Sequence, residues 1–158
     1  PEPSNGIALA VNLFQLGENE VVEGRINHYS PLGRGVLIAN LQGAGALRQK
    51  VSFGLPGYKQ DLVGSWRAGA GVEVKAPLME FQRGLITPPV YFLDTWGGLG
   101  VDLYKVNGNE QFWPTLITEL QLRMGLGFST TPCSFKVRLY KGLIDGEVEA
   151  SISAGFSW

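Results

Sequence analysis

The sequence predicts an all-β domain, a sandwich or a barrel, and three observations point to this fold class. Apolar and polar residues alternate with a period of two over many short stretches, which is typical of strands that bury one face. The 22 glycines and 9 prolines make up about a fifth of the chain, and many of them lie between these stretches as turn signals. Helical periodicity is nearly absent, since the best candidate, residues 58–64, is too short for more than two turns.

Ten stretches are strand candidates and predict eight to ten strands. Together they fit one domain of 158 residues that needs no metal or disulfide for its core. In chain order they are residues 5–16, 21–29, 35–42, 51–53, 66–78, 85–93, 100–106, 115–128, 134–141 and 147–158. We expect their apolar faces to form the core. The expected core residues are Trp66, Val72, Val74, Phe92, Leu120, Leu122, Phe135, Val137 and Ile152.

The charge balance argues against strong attraction to polyanions. Thirteen basic and fourteen acidic side chains leave a net charge of −1, so neither nucleic acid nor an anionic membrane is strongly attracted. No apolar run approaches the ~20 residues of a spanning helix.

The residues that carry chemistry do not form a recognisable site. His28 is the only histidine and Cys133 the only cysteine, which excludes a disulfide within the chain and gives no metal-ligand spacing. The stretch Gly97-Gly98-Leu99-Gly100 lacks the lysine and the helix start of a phosphate-binding loop. We therefore expect no catalytic residue, no cofactor and no metal, and hence no enzyme.

One motif carries more information than composition does. Trp66, Arg67 and Gly69 follow the short helical candidate as a predicted turn that leads into a strand, and Gly84 opens the next apolar strand. This order resembles picorna-like coat proteins, and most closely the small coat protein of comoviruses and the matching domain of nepoviruses. The resemblance covers roughly residues 35–158. It implies an eight-stranded antiparallel jelly-roll sandwich with these four residues as a structural motif, and the glycine-rich residues 96–106 fit either a strand or a loop of it.

The resemblance also implies a function. The chain would be a structural coat protein of a plant RNA virus that assembles with like and unlike jelly-roll subunits into an icosahedral capsid around single-stranded RNA. Residues 1–34 would form an extended segment that contacts neighbours, and residues 35–158 the capsid domain. The protein would reside in the virion, assembled in the host cytoplasm, with no membrane partner.

RNA contact, under this hypothesis, comes from the folded domain. Residues 1–24 carry four acidic side chains and no basic one, so this segment would be repelled by phosphate. The candidate RNA-contacting residues are Arg34, Arg48, Lys50 and Arg67. We expect weak contacts without sequence specificity.

Two alternatives stay open. A small bacterial outer-membrane β-barrel has about this size, and residues 147–158 alternate and end in an aromatic residue as its last strand would. Against it, Pro77, Pro88, Pro89 and Pro114 fall in or beside strand-like stretches. A soluble carbohydrate- or protein-binding sandwich is the third possibility.

Overall fold

The computed structural model describes residues 5–16, 19–85, 90–126 and 132–156. All regular secondary structure in these ranges is β-strand. Within them, no helix is long or apolar enough to span a membrane. Parts of predicted strands, residues 86–89, 127–128 and 157–158, lie outside the described residues. The prediction of an all-β antiparallel protein is confirmed.

The structure describes ten strands, of which eight have at least nine residues and two, β4 and β5, have three. They are β1 (Gly6–Leu16), β2 (Asn19–Leu32), β3 (Gly35–Ala46), β4 (Val51–Phe53), β5 (Leu62–Gly64), β6 (Trp66–Leu85), β7 (Val90–Val106), β8 (Phe112–Leu126), β9 (Cys133–Gly142) and β10 (Val148–Phe156). The glycine-rich residues 96–106 are the middle and end of β7. The helical candidate at residues 58–64 is not a helix, because its last three residues form β5.

Eight strands form one antiparallel sheet in the order β1-β2-β3-β6-β7-β8-β9-β10, and β4 pairs with β5 separately. Residues 19–32 therefore belong to the same sheet as residues 35–46. The prediction of eight antiparallel strands is confirmed by the large sheet. A jelly roll would divide its strands between two facing sheets in Greek-key order, whereas here strands adjacent in the large sheet are also consecutive along the chain, apart from the small β4–β5 hairpin.

The large sheet is curved, so that its two faces have different surroundings. Glu73 on β6 and Arg138 on β9 meet at 3.0 Å, although two strands lie between them in the sheet. In a flat sheet, three steps between neighbouring strands would place the backbones of β6 and β9 about 14 Å apart. We call the face on which such side chains converge the inner face, and the opposite face the outer face.

The apolar core is small and lies at one end of the inner face. Residues 47–65, the inserted loop that contains β4 and β5, pack there against inward side chains of the sheet. The cluster comprises Val21, Ala44, Val51, Phe53, Leu55, Leu62, Tyr104 and Val106, with Ala46, Tyr58 and Trp113 packed against it. We call this the capped end, and the opposite end, where Gly6 and Phe156 lie, the terminal end.

The predicted core residues lie elsewhere, and that prediction is wrong. Val72, Leu120 and Ile152 are 51%, 51% and 78% exposed. Trp66, Val74, Phe135 and Val137 are exposed as well, and Phe92 and Leu122 are half-buried. The alternation was identified correctly but its phase was reversed, because the polar side chains of the same strands are the ones that turn inward.

Candidate functional site

The inner face of the sheet carries charged side chains that are almost completely buried. On β6 the side chains of Glu73 and Lys75 are 5% and 12% exposed, while those of the intervening valines point outward. On β8 the Glu119 side chain is 1% exposed, between the outward Thr118 and Leu120. Charged groups are rarely buried to this extent unless they are paired.

These charges form one network, which we call the inner ion network: Glu73, Lys75, Glu119, Lys136 and Arg138. Arg138 bridges the two carboxylates, with its Nη2 3.0 Å from Glu73 Oε2 and its Nε 2.5 Å from Glu119 Oε2. Lys75 Nζ also contacts both, at 3.4 Å from Glu73 and 2.5 Å from Glu119. Lys136 approaches Glu119 at 4.0 Å. Three cations thus surround two carboxylates across β6, β8 and β9.

Glycines on β7 make room for this network. β7 lies between β6 and β8, so any side chain at its inward positions would fill the space in which their charged groups meet. A Cβ on Gly98 would lie 2.9 Å from Glu73 Oε1 and 3.2 Å from the Glu119 Cβ. The stretch Gly97-Gly98-Leu99-Gly100, which does not fit a phosphate-binding loop, therefore leaves space on the inner face for the charged side chains of β6 and β8.

A second polar group lies between the network and the capped end. Asp102 Oδ1 accepts a hydrogen bond from Asn40 Nδ2 at 3.0 Å, and its Oδ2 accepts one from the Tyr104 hydroxyl at 2.9 Å. Gln42 Nε2 donates to the same hydroxyl at 3.1 Å. Asn40 Oδ1 is buried without a described partner. The inner face therefore continues as a hydrogen-bonded layer towards the inserted loop.

Two more ion pairs extend the polar lining towards both ends. Arg123 on β8 donates from Nε and Nη2 to the two carboxylate oxygens of Asp94 on β7. Near the capped end, Arg67 Nη2 lies 3.1 Å from Glu23 Oε1, and its Nη1 donates to the Gly54 carbonyl at 2.9 Å. Polar and charged groups consequently line the inner face along most of its length.

The outer face has the opposite character. From β6 to β9, its positions at residues 68–76, 95–103, 114–124 and 135–139 carry apolar, glycine, proline or threonine residues and no charge among the described residues. The most exposed large side chains in the centre of this band are Val72, Leu99, Val101, Leu120 and Leu139. Among the side chains that the structure describes on these strands, the charged outward ones are Lys105 and Lys141, both at the capped end. An exposed apolar surface that covers several strands marks an interaction site.

The structure does not support a turn for the predicted structural motif. Trp66, Arg67 and Gly69 are successive positions of β6, and Gly84 lies near the other end of the same strand, paired with Tyr91. Trp66 is 44% exposed on the outer face and so does not anchor a turn to the core. This strand position suits a glycine because the Tyr104 ring packs against it. A Cβ at residue 69 would lie 2.8 Å from that ring.

The four candidate RNA-contacting residues are not brought together. Arg34 lies in the β2–β3 turn at the terminal end and pairs with Glu80. Arg48 and Lys50 are exposed at the capped end, just after β3. Arg67 points inward and is engaged by Glu23 and Gly54. They form no common basic surface.

Sequence reasoning missed the inner ion network. The alternation of Glu73 and Lys75 with valines was visible, as was that of Lys136 and Arg138 with apolar residues. What the sequence lacked was the strand register, which places Glu119 opposite both Gly98 and Arg138. The described residues hold no group of three or more His, Cys, Asp or Glu side chains suited to a metal ion.

The comparisons with known proteins add no relative. The chain matches no family model, no curated protein and no solved structure at a significant level.

Proposed function

We propose that this chain is an integral membrane protein of the outer-membrane type, which crosses the lipid bilayer with its eight long strands. The observation that carries the proposal is the phase of the alternation: charged side chains are paired on the inner face, and the outer face is apolar. In water this distribution is unfavourable, because about 25 cal/mol is lost for each Å² of exposed apolar surface. In a bilayer it is the favourable arrangement.

The strand lengths support the same proposal. A strand that crosses the hydrocarbon core at a tilt needs about 9–11 residues, whereas strands of soluble proteins average about 5–6. The eight strands of the large sheet contain between 9 and 20 residues. On β6, the uncharged outward positions extend from Trp66 to Leu78, and twelve residue steps at about 3.3 Å span more than the ~25 Å apolar band of such proteins.

Membrane insertion also requires that the backbone groups of the two edge strands be hydrogen-bonded. In the described residues β1 and β10 are the edge strands and are not paired with each other. An unpaired edge cannot persist in hydrocarbon, because each unsatisfied backbone group costs several kcal/mol. We therefore propose that β1 and β10 pair in the bilayer and close the sheet into a β-barrel.

The contents of the inner face favour a protein without an open channel. The inner ion network occupies the space between β6, β8 and β9, and the inserted loop covers the capped end. The Tyr58 hydroxyl donates to the Pro114 carbonyl at 2.5 Å, and the Thr115 hydroxyl donates to the Pro56 carbonyl at 3.0 Å, which fixes the loop to β8. We propose a structural or binding role at the membrane surface, not the passage of solutes.

The coat-protein hypothesis remains the second candidate, because an exposed apolar face is also what contact between subunits needs. The two functions differ in what covers that face. Sedimentation and electron microscopy of native material distinguish them, since particles tens of nanometres across would support the capsid and a detergent-requiring protein would oppose it.

The sharper test uses the centre of the outer face. We expect Val72→Arg to destabilise the protein in phosphatidylcholine vesicles by about 2–4 kcal/mol, the cost of arginine on the lipid face at the bilayer midplane. Urea unfolding monitored by tryptophan fluorescence measures this. If Val72 faces water, the same change alters stability by no more than about 0.5 kcal/mol, and the membrane proposal is then wrong. Lys141→Arg at the capped end is the matched control and should change little.

A further inference from the structure

A groove of about 520 Å³ crosses the outer face of the sheet near the capped end. Its floor is built from small residues on three neighbouring strands: Gly24 on β2, Gly43 on β3, and Ala68 and Ala70 on β6. The strand register places Gly24 opposite Gly43 and Gly43 opposite Ala68, so the floor runs straight across the strands. With neighbouring strands about 4.8 Å apart, this floor extends for roughly 10 Å before it reaches β7.

Large apolar side chains form the walls of the groove. Leu9, Ile26, Leu41 and Leu103 lie along one side, and all are exposed, by 68%, 44%, 59% and 43% respectively. Phe112, which is 54% exposed, stands at the β8 end. The groove is therefore a concave, apolar feature within an otherwise convex surface, and the described residues leave its walls uncovered.

Lys105 on β7 lies beside Phe112 near the β8 end of the groove. Lys105 is paired with Ala68 on one side and Phe112 on the other. Its Nζ lies 4.7 Å from the centre of the Phe112 ring and donates to the Glu110 carbonyl. Lys105 is the last outward residue of β7 before the turn, so its ammonium group stands where the apolar band ends.

We propose that the groove binds one acyl chain of an anionic lipid, with the lipid headgroup paired to Lys105. The inference rests on the proposed membrane location and names a specific ligand for part of the lipid-facing surface. An acyl chain fits the apolar side chains of the floor and walls. Arg25 and Gln42 also line the groove, but their polar groups are engaged by Asn27 and by the Tyr104 hydroxyl. Lys105, at the boundary of the apolar band, complements a phosphate at the level of the headgroups. An apolar side chain from a second copy would not use this charge.

The first experiment tests the headgroup contact. The full chain is reconstituted in vesicles that contain phosphatidylglycerol and phosphatidylcholine in equal amounts, and native mass spectrometry counts the lipid that stays bound. We expect retained phosphatidylglycerol to exceed phosphatidylcholine, and Lys105→Gln to lower this preference about fivefold. Lys141→Gln is the matched control, because Lys141 is also outward at the capped end and donates to the backbone carbonyl of Gly146, five residues later, at 2.7 Å.

The second experiment tests the acyl-chain contact. Ala68→Leu fills the floor of the groove, whereas Ala76→Leu adds the same side chain to the same face of β6 outside it. We expect the first change to abolish retention of the lipid and the second to leave it unchanged. The lipid-binding proposal would be wrong if both variants retained the lipid equally, or if Lys105→Gln left the preference for phosphatidylglycerol unchanged. The membrane proposal would stand in either case. A chain that does not insert into vesicles at all would overturn both.

Discussion

The two faces of the sheet are built from the same strands but carry opposite kinds of side chain: charged and polar on the inner face, apolar on the outer face. On β6, two neighbouring residues illustrate the difference: the Glu73 side chain is 5% exposed and held by Arg138 and Lys75, while Val72 beside it is 51% exposed and without charge around it. In a soluble sheet the valine would be buried and the glutamate would face water. This contrast is the basis of the membrane proposal, and the first two predictions below change the inner face and use the outer face as the control.

The largest effect is expected from breaking the inner ion network at its centre. Glu119→Ala removes the carboxylate that contacts Lys75, Arg138 and Lys136. Removing one partner of a buried charge network costs about 3–5 kcal/mol, because the remaining charges are left uncompensated. Urea unfolding of the vesicle-reconstituted protein measures the loss.

Thr118→Ala is the control for this change. It alters the preceding residue on the outer face, where Thr118 is exposed, and should shift stability by no more than about 0.5 kcal/mol. Equal effects of the two substitutions would contradict the burial of the network.

An intermediate effect is expected from the glycine beneath the network. Gly98→Ala would introduce a Cβ 2.9 Å from Glu73 Oε1, and overpacking of this kind costs about 1–3 kcal/mol. Gly43→Ala tests a glycine on the outer face, where the nearest atom to the new Cβ is the Arg67 carbonyl oxygen at 3.7 Å. That distance is an ordinary contact, so the second variant should unfold at nearly the wild-type urea concentration. If Gly98→Ala were also neutral, the glycine would not be needed for the meeting of β6 and β8.

The sequence was sufficient for the existence and approximate ends of most strands, because period-two alternation and turn residues are local signals. It predicted β1, β4 and β9 to within one residue at each end, but ended β6 seven residues early. It failed at β7, where the glycine-rich residues 96–106 fit either a strand or a loop until their neighbours on β6 and β8 are known. The inner ion network depends on pairing between residues 65 positions apart, such as Glu73 and Arg138. No local pattern contains that information.

The phase of the alternation could not be read from the sequence for a different reason. Period-two alternation has the same form whether the apolar residues face a core or face lipid, since it separates the two faces without saying which is inside. Assigning Val72, Leu120 and Val137 to a core assumed that the surroundings are water. The glycines opposite Glu73 and Glu119 were the available clue, because bulky inward residues need small neighbours.

The smallest effect is expected from an ion pair that neither face buries. Arg34 and Glu80 meet at the terminal end with side chains that are 79% and 57% exposed. Water screens such a pair, and exposed pairs contribute about 0.2–1 kcal/mol at most. A double-mutant cycle of Arg34→Gln and Glu80→Gln in urea unfolding should therefore give a coupling below about 0.5 kcal/mol that falls further at high salt. The same cycle on Arg138 and Glu73 should give a several-fold larger coupling that salt hardly changes, because that pair lies within the inner ion network. Similar couplings for the two pairs would mean that water reaches the inner face, and the contrast between the faces would then lose its physical basis.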